Sequence, residues 1–525
     1  MRFLSRSVLI KLWPLGVGLI VLTVYLLTGA RTYSWANYGN DGADLAAAIA
    51  TSGIPHPPGF PLYLLLGKVA TLVLPLSDFM WRLNVFSAIG GALAVMFIAL
   101  ASYQFTRSRL AATVGALAYG LAILPWGQAT ITEVSTWLAV FGAGCLYALG
   151  KAKESSRPVW LLLAWLCGGL AIAIHPIGLV TVPTILWFMW LYRAQMYRRW
   201  WFYPASILAL FIPLCLYTLP YLRSQGESSY IWAEVGNLRE LWWYTSFQEY
   251  WSTVNFGQVI YYLRGTGKFF IQIIRNFGIL GAVLALFGLV KLWQEDRQQL
   301  KFLVGAIILF AAPVVIHNEN PVLGGYYALV LLPWALVLAG GARKLFSYVA
   351  YIPSLDKSWS VGWLALLVPA VLIISNWSVV DARADNRFPE MMERVAPDVA
   401  SNALIITFAG LSNELDEVAF GLRYGFLVHT PRPDVVVVVN VGGKEELPML
   451  RRRFPQYDWS NIAGLDASGD NDPLAGERIA RFVATNKHLG PIYFVFGNRP
   501  RDQSLLLIGQ TEFHALPHGL LYEVR

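Results

Sequence analysis

Charge is scarce in this chain: 14% of its 525 residues are Asp, Glu, Lys or Arg, against 56% hydrophobic. A soluble globular domain carries about a quarter charged residues and a disordered chain few aromatic ones, so neither class fits. Cysteine is scarcer still. Cys145, Cys167 and Cys215 all fall inside apolar runs, so no disulfide framework is readable and they read as packing residues. Also missing is a phosphate-binding glycine motif: "VGGKEE" after "DVVVVVN" is strand then turn, too short and too common to mean nucleotide. No internal repeat or low-complexity linker stands out. The net charge of +8 does not point to nucleic acid, because the basic residues sit in short clusters between apolar runs, without a basic and aromatic patch on a soluble module. A membrane surface explains them better.

What is present is a series of apolar runs, near 9–30, 83–104, 110–126, 131–150, 158–174, 176–192, 201–222, 268–290, 302–317, 325–342 and 359–378. A crossing helix needs about 17 to 25 residues, so the reading is a polytopic α-helical membrane protein with about eleven spans. The first run is long, is preceded or entered by Arg2, Arg6 and Lys11, and lacks a convincing cleavage site, so it reads as a retained helix. Basic residues in short loops stay cytoplasmic. Arg107 and Arg109, the Lys151 to Arg157 cluster, Arg193 to Arg199, Lys291 to Lys301, and Arg343 to Lys357 all fall on one side if the N-terminus is inside. The loop of about 31–82, the loop of about 223–267 and the tail from 380 are then external.

Residues 1–379 form the membrane part and 380–525 a separate external domain, which in a bacterial-type envelope is periplasmic. In the tail, charge becomes mixed and the apolar runs shorten to strand length. "ALIITF", "DVVVVVN" and "PIYFVFG" read as buried strands with helical stretches between them, giving a small α/β layer structure.

The first external loop is the least expected segment. "YGNDGADLAAAIATSGIPHPPGFPLY", Tyr38 to Tyr63, holds two carboxylates, one histidine and four prolines. A start signal at Asn40 or Asp41, helix-forming alanines and Gly53 predict a short helix lying at the external interface. Asp41 and Asp44 fall near its first turn, where Asp41 serves either as helix cap or as a base facing a lipid-linked substrate, and Asp44 either favours the positive end of the helix or is a catalytic helper to that base. The proline run makes a stiff corner, and "PLYLLLGKVATLVLPL" resumes as a second interfacial helix. His56 at the corner is either a surface residue or a substrate contact. One His and two Asp in a loop could hold a divalent ion, but with no metal-ligand spacing the signal for one is weak.

"DGAD" followed by "GIPHPPGFPLY" and then "WRLNVFSA" resembles the N-terminal signature of GT-C type membrane glycosyltransferases of family 117, whose eukaryotic members are protein O-mannosyltransferases. The likeness is strongest over about 35 to 100. "TEVSTWLAVF", "GLAIAIHPIGL" and "LPYLRS" echo it more weakly. It implies a polyprenyl-phosphate sugar as donor, a hexose such as mannose, and an aspartate base in the first external loop. Asp41 matches that base. Asp44 and Ala43 replace the usual glutamate and glycine, Ser135 the usual tyrosine, and Trp232 to Val235 stand where a Trp-Gly-Asp-Pro-like element is expected. The resemblance also brings in Arg82 and Asn84 of the R-x-N-x-x-S run as substrate-binding residues. Membrane lipids and a protein, glycan or lipid acceptor are the implied partners.

An inverting transfer from a lipid phosphate also needs a group to stabilise the leaving phosphate. Arg223 closes an apolar span at the external face and is either that group or an interfacial anchor. His175 and His317 sit at external turns, where each either lines the donor site or satisfies a helix end, and Glu133 begins a span as a third external carboxylate. The rival reading is a transporter or flippase of lipid-linked sugars. Such proteins place ionisable groups near the midplane of their spans, whereas here the carboxylates crowd the loops.

Overall fold

Long apolar runs with few helix breakers become helices, and the breakers decide where each stops. A computed structural model describes residues 6–155, 157–192, 200–246, 248, 259–317, 324–348, 361–407, 413–439, 446–462, 475–495 and 513–524. The first helix, α1 (Arg6–Thr28), leads into a loop that carries α2 (Gly42–Thr51) and α3 (Pro61–Val73). Then come α4 (Phe79–Thr106), α5 (Arg109–Gly120), α6 (Ile123–Gln128), α7 (Ser135–Ser155), α8 (Pro158–Ile174) and α9 (Thr181–Leu191). They are followed by α10 (Phe202–Leu214), α11 (Leu219–Ser224), α12 (Leu238–Thr245), α13 (Val259–Glu295), α14 (Arg297–Ile316), α15 (Tyr327–Val330), α16 (Leu332–Tyr348) and α17 (Leu367–Val380). Asp78, Ser108 and Asp296 cap α4, α5 and α14 by accepting backbone N–H bonds.

Among the described residues, six helical stretches are long and apolar enough to cross a membrane: 79–106, 202–224, 259–295, 297–316, 327–347 and 363–380. Of the other apolar runs, those at 9–30 and 131–150 form the continuous helices α1 and α7, while several are shorter or interrupted. The run at 110–126 breaks into α5 and α6, and the run at 176–192 begins with a 3-10 turn before α9. Hydropathy alone does not register such breaks, because a kink changes the backbone and not the apolar content. The helix α4 packs along α1, α5, α7 and α16. Alanine and glycine at Ala88, Gly91, Ala92, Ala94, Ala99 and Ala101 line its buried side, and such small residues let backbones approach closely in lipid.

Beyond α17 lie α18 (Arg387–Val395), β1 (Leu404–Thr407), α19 (Asn413–Tyr424), β2 (Val436–Val439), α20 (Glu446–Arg453), α21 (Ala475–Asn486), β3 (Ile492–Val495), β4 (Phe513–Ala515) and β5 (Leu521–Val524). The sheet order is β2-β1-β3-β5-β4. Its first three strands are parallel, in register Leu404 with Val436 and Ile492, while β5 runs antiparallel to β3 and β4. Strands β1 and β3 are buried at every residue, which suits central parallel strands covered on both faces.

The expected short helix α2 is enclosed by protein. Gly42 to Ile49 are all buried, and α19 from the C-terminal part packs directly on α2. The run of alanines that reads as helix propensity is also what lets a helix sit between two layers without excess volume. Asp385, just before α18, fastens the start of the same loop: one of its oxygens accepts from Ser34 Oγ at 2.7 Å and from the backbone N–H groups of Trp35 and Ala36 at 2.9 and 3.0 Å.

Candidate active site

The corner after α2 is built to hold one imidazole. Gly59 takes φ +89°, and a Cβ there would lie 2.7 Å from the Tyr244 ring, so only glycine fits the turn. The Tyr244 hydroxyl donates to the Pro55 carbonyl at 2.5 Å and fixes the strand-like approach to His56. On the other side, Ile54 pairs with residues 230–232 through Ile54 N–H to Tyr230 O and Trp232 N–H to Ile54 O, at 2.9 and 3.0 Å. His56 is thereby buried among three rings, with centroids at 5.0 Å (Phe60), 6.1 Å (Trp232) and 6.4 Å (Phe420).

Asp44 is fully buried and engaged on both oxygens. Oδ2 accepts from the His56 backbone N–H at 3.0 Å and lies 2.6 Å from His56 Nδ1, while Oδ1 accepts from the Tyr230 hydroxyl. With the Nδ1 proton directed at Asp44, His56 Nε2 is left facing Asp41 Oδ2 at 3.6 Å. Asp41 holds the N-cap position of α2, yet its side chain makes no capping bond. The capping role is therefore not the one its carboxylate performs, and the side chain keeps 27% exposure. Burial pushes the Asp41 carboxyl above the usual carboxylate range, the His56 charge pulls it back and Asp44 raises it again. Glu133 is buried close by, with Oε2 accepting the Val134 N–H at 2.6 Å; burial first, then the Asp41 charge, lift its carboxyl to about 8.

The other residues singled out from the sequence divide by what they touch. His175 lies one ring away from His56, with Phe60 between them at 5.0 and 5.6 Å. His175 Nδ1 accepts the Ile177 N–H, so the ring proton sits on Nε2, 3.3 Å from the Tyr326 hydroxyl. Burial lowers its pKa to about 3, which keeps it neutral. His175, His317 and Tyr326 are the polar members of a cavity of about 600 Å³ whose remaining wall is apolar, from 176–183 and 309–316. Arg223 donates from Nη1 to the Gly53 carbonyl at 2.9 Å and so ties α11 to the end of α2. Arg82 bridges the Leu76 and Thr71 carbonyls at 2.5 and 2.9 Å, bracing the turn between α3 and α4. Asn84 donates to Ala30 O and Thr32 O and accepts from Thr132 Oγ1, so its amide is spent inside the fold. Arg82 and Asn84 thus hold the framework around the loop rather than meeting His56 or Asp41.

Tyr230, Phe420 and Arg423 were not predicted as site residues. Trp232 and Glu133 carried a local sequence signal, but these three reach the loop from far along the chain and carried none. A second cavity, about 350 Å³, opens beside Asn40 and has a mixed wall, with Asn37, Gln272, Arg275 and Glu417 beside Trp35, Ile123 and Leu124.

Comparison with known proteins bears on the same segment. Residues 41–198 match the family described as Protein O-mannosyl-transferase TMEM260 N-terminal domain. The chain resembles these O-mannosyltransferases. It is 24% identical to "Protein O-mannosyl-transferase TMEM260" of Mus musculus over 494 residues, covering 86% of this chain and 66% of the relative. With the Dictyostelium discoideum protein of the same description it shares 24% over 289 residues, 50% of this chain and 35% of that one. The chain thus spans just under two-thirds of one relative and about a third of the other. Among solved structures, ArnT from Cupriavidus metallidurans bound to undecaprenyl phosphate superposes with a TM-score of 0.60, over 99% of this chain and 98% of that one, at 15% identity. At that identity the likeness shows a shared fold.

Proposed function

We propose that this chain is an integral-membrane glycosyltransferase that moves a hexose, mannose in the first instance, from a polyprenyl-phosphate donor to an acceptor hydroxyl on the external face. The observation that carries the reading is the division of labour in the loop: Asp44 is consumed in holding His56, while Asp41 is uncapped, partly accessible and 3.6 Å from the imidazole. A carboxylate held that way serves as a base. Asp41 takes the proton of the acceptor hydroxyl, the acceptor oxygen forms its bond to the anomeric carbon, and the bond from that carbon to the phosphate oxygen breaks. The electron pair leaves with the polyprenyl phosphate, and the configuration at the sugar inverts.

The apolar cavity ending at His175, His317 and Tyr326 suits the polyprenyl chain, with the phosphate at the polar end. Neutral His175 and the Tyr326 hydroxyl act there as hydrogen-bond donors rather than as charges. Arg223 contributes by fixing the end of α2. The cavity beside Asn40, with Asn37, Gln272, Arg275 and Glu417 in its wall, suits the acceptor. ArnT supports a lipid-phosphate donor, since its structure holds undecaprenyl phosphate, and the O-mannosyltransferase relatives support mannose and a protein acceptor. The proposal keeps the N-terminus cytoplasmic, about eleven crossings, and residues 380–525 external as a separate domain, on the strength of the alternating basic clusters.

The test is direct. Purified protein is incubated with radiolabelled polyprenyl-phosphate mannose, glucose or arabinose and a hydroxyl-bearing peptide. Consumption of one donor with label in the product is expected in the wild type and is lost in Asp41→Asn. Transfer undiminished in Asp41→Asn would remove Asp41 from the chemistry, and no consumption of any donor would refute the enzyme reading.

A further inference from the structure

A cavity of about 550 Å³ lies between Glu227, Ser228, Ser229 and Ile231 on one side and the C-terminal sheet unit on the other. Its floor includes Arg423, which is 7% exposed. The Arg423 guanidinium stacks 3.8 Å from the Tyr230 ring centre and makes one hydrogen bond, from Nη2 to the Ile231 carbonyl at 3.3 Å. Among the described residues no carboxylate lies within ion-pair distance of it. Arginine does not shed its proton in proteins and carries five N–H donors, so a buried guanidinium with one bond lacks a counter-charge. Burying such a charge unpaired is costly.

A second arginine repeats the pattern. Arg453 Nη2 donates to the carbonyls of Ser224 and Gly226 at 3.3 and 2.7 Å, but its Nε is buried with no partner. Arg432, also in the wall, is already paired with Asp434 at 2.7 Å. With Glu227 set against the two remaining guanidiniums, the cavity keeps one net positive charge. Phe426, Leu427, Met449 and Phe454 supply apolar surface.

We propose that this cavity binds an amphipathic anion, a phosphate or carboxylate head on a small apolar body, with the head on Arg423 and Arg453 and the body against Phe426 and Leu427. The site is separate from the loop that holds Asp41. It is joined to that loop through Arg423, Tyr230 and Asp44, so a bound anion shares the guanidinium that now rests on Tyr230. The head comes either from a membrane lipid or from a soluble metabolite, and the same chemistry recognises both.

The experiment uses full-length protein in nanodiscs of zwitterionic lipid, titrated calorimetrically with phenyl phosphate, with inorganic phosphate and with phenol. Saturable binding of phenyl phosphate is expected, weaker binding of inorganic phosphate, and none of phenol. Arg453→Gln and Arg423→Gln should each weaken phenyl phosphate by about tenfold, the scale of one hydrogen bond to a charged group. Because Arg423→Gln removes a buried contact and can fail to fold, Leu427→Trp is the second route: it fills the cavity, keeps both arginines and should abolish binding. Equal binding of phenol, or phenyl phosphate affinity unchanged in folded Arg453→Gln and Leu427→Trp, would overturn the proposal. Repeating the titration in discs containing phosphatidylglycerol separates the sources, since a lipid occupant competes with phenyl phosphate and a soluble one does not. None of these readouts depends on sugar transfer, so a failure here leaves the glycosyltransferase reading standing, and the converse holds.

Discussion

Replacing Asp44 by asparagine or by alanine separates its charge from its hydrogen bonding. The carboxylate accepts three bonds in a fully buried position, two from His56 and one from Tyr230. Asparagine has nearly the same shape. Its oxygen can take the two His56 donors, and its NH₂ can donate to the Tyr230 oxygen. Two costs remain: the His56 bonds lose their charge assistance, about 1 kcal/mol each, and the Tyr230 O–H is left without an acceptor at about 1–3 kcal/mol. Asp44→Asn should therefore destabilise by about 3–5 kcal/mol. Alanine leaves all three buried donors unmet and adds a void, for about 4–9 kcal/mol. Thermal unfolding followed by tryptophan fluorescence should rank wild type above Asp44→Asn and Asp44→Asn above Asp44→Ala. Sugar transfer should be partly lost in Asp44→Asn, because the imidazole stays seated but loses the negative charge beside it. An Asp44→Ala protein as stable as Asp44→Asn would refute the argument, since three buried donors cannot lose their acceptor at no cost.

Asp41→Asn removes no capping bond, so its unfolding temperature should match wild type while transfer falls by about two to four orders of magnitude, the usual cost of losing a general base; the acid-side decline of wild-type transfer should sit above the pKa of free aspartate, because a base with a raised pKa is protonated at higher pH. Glu133 is protonated below about 8 in the fold and ionised above about 4.5 in the unfolded chain, so the native state binds the extra proton and wild-type stability declines as pH rises across that window. Glu133→Gln should escape this decline, and the gap in unfolding temperature between variant and wild type should widen from pH 5 to pH 8; parallel curves would exclude a buried neutral Glu133. At Asp385 burial works against ionisation, but hydrogen bonds from Arg387 and Ser34 overcome it and hold the carboxyl at about 2. Its contribution is present above the usual carboxylate pKa and is lost as pH falls towards 2, so Asp385→Asn should lower stability near neutrality by about 2 kcal/mol and by progressively less below pH 4, read from urea unfolding at each pH.

The residues of the candidate site that were legible in the sequence are those with a local signature. Asp41, Asp44 and His56 stand out because charge and proline interrupt an apolar chain within a few residues of one another. Gly59 and the proline corner announce a turn by their own backbone limits. Tyr230, Phe420 and Arg423 announce nothing, because a tyrosine before an apolar pair or an arginine on an amphipathic helix looks the same wherever it ends up. What selects them is packing between segments nearly two hundred to almost four hundred positions apart, and no periodicity records that. Arg223 is a different case: a cation at the end of an apolar span reads as a ligand for phosphate or as an interfacial anchor, and the sequence does not show that the Gly53 carbonyl at the end of α2 takes one of its donors. The strands β1, β2 and β3 lie within the three apolar runs marked for them, since a buried parallel strand is a continuous apolar run bounded by turn residues.

The seating of Phe420 on His56 and of Arg423 on Tyr230 has a consequence for biosynthesis. When the ribosome has released α17, every titratable group of the proposed transfer chemistry has already been synthesised, yet the imidazole still lacks one of its three rings and α2 lacks the helix that covers it. The centre is therefore finished only after α19 has been made. A nascent protein stalled before residue 413 would leave α2 and the His56 corner unroofed, and the closing of α19 over α2 completes the cage of rings around the imidazole.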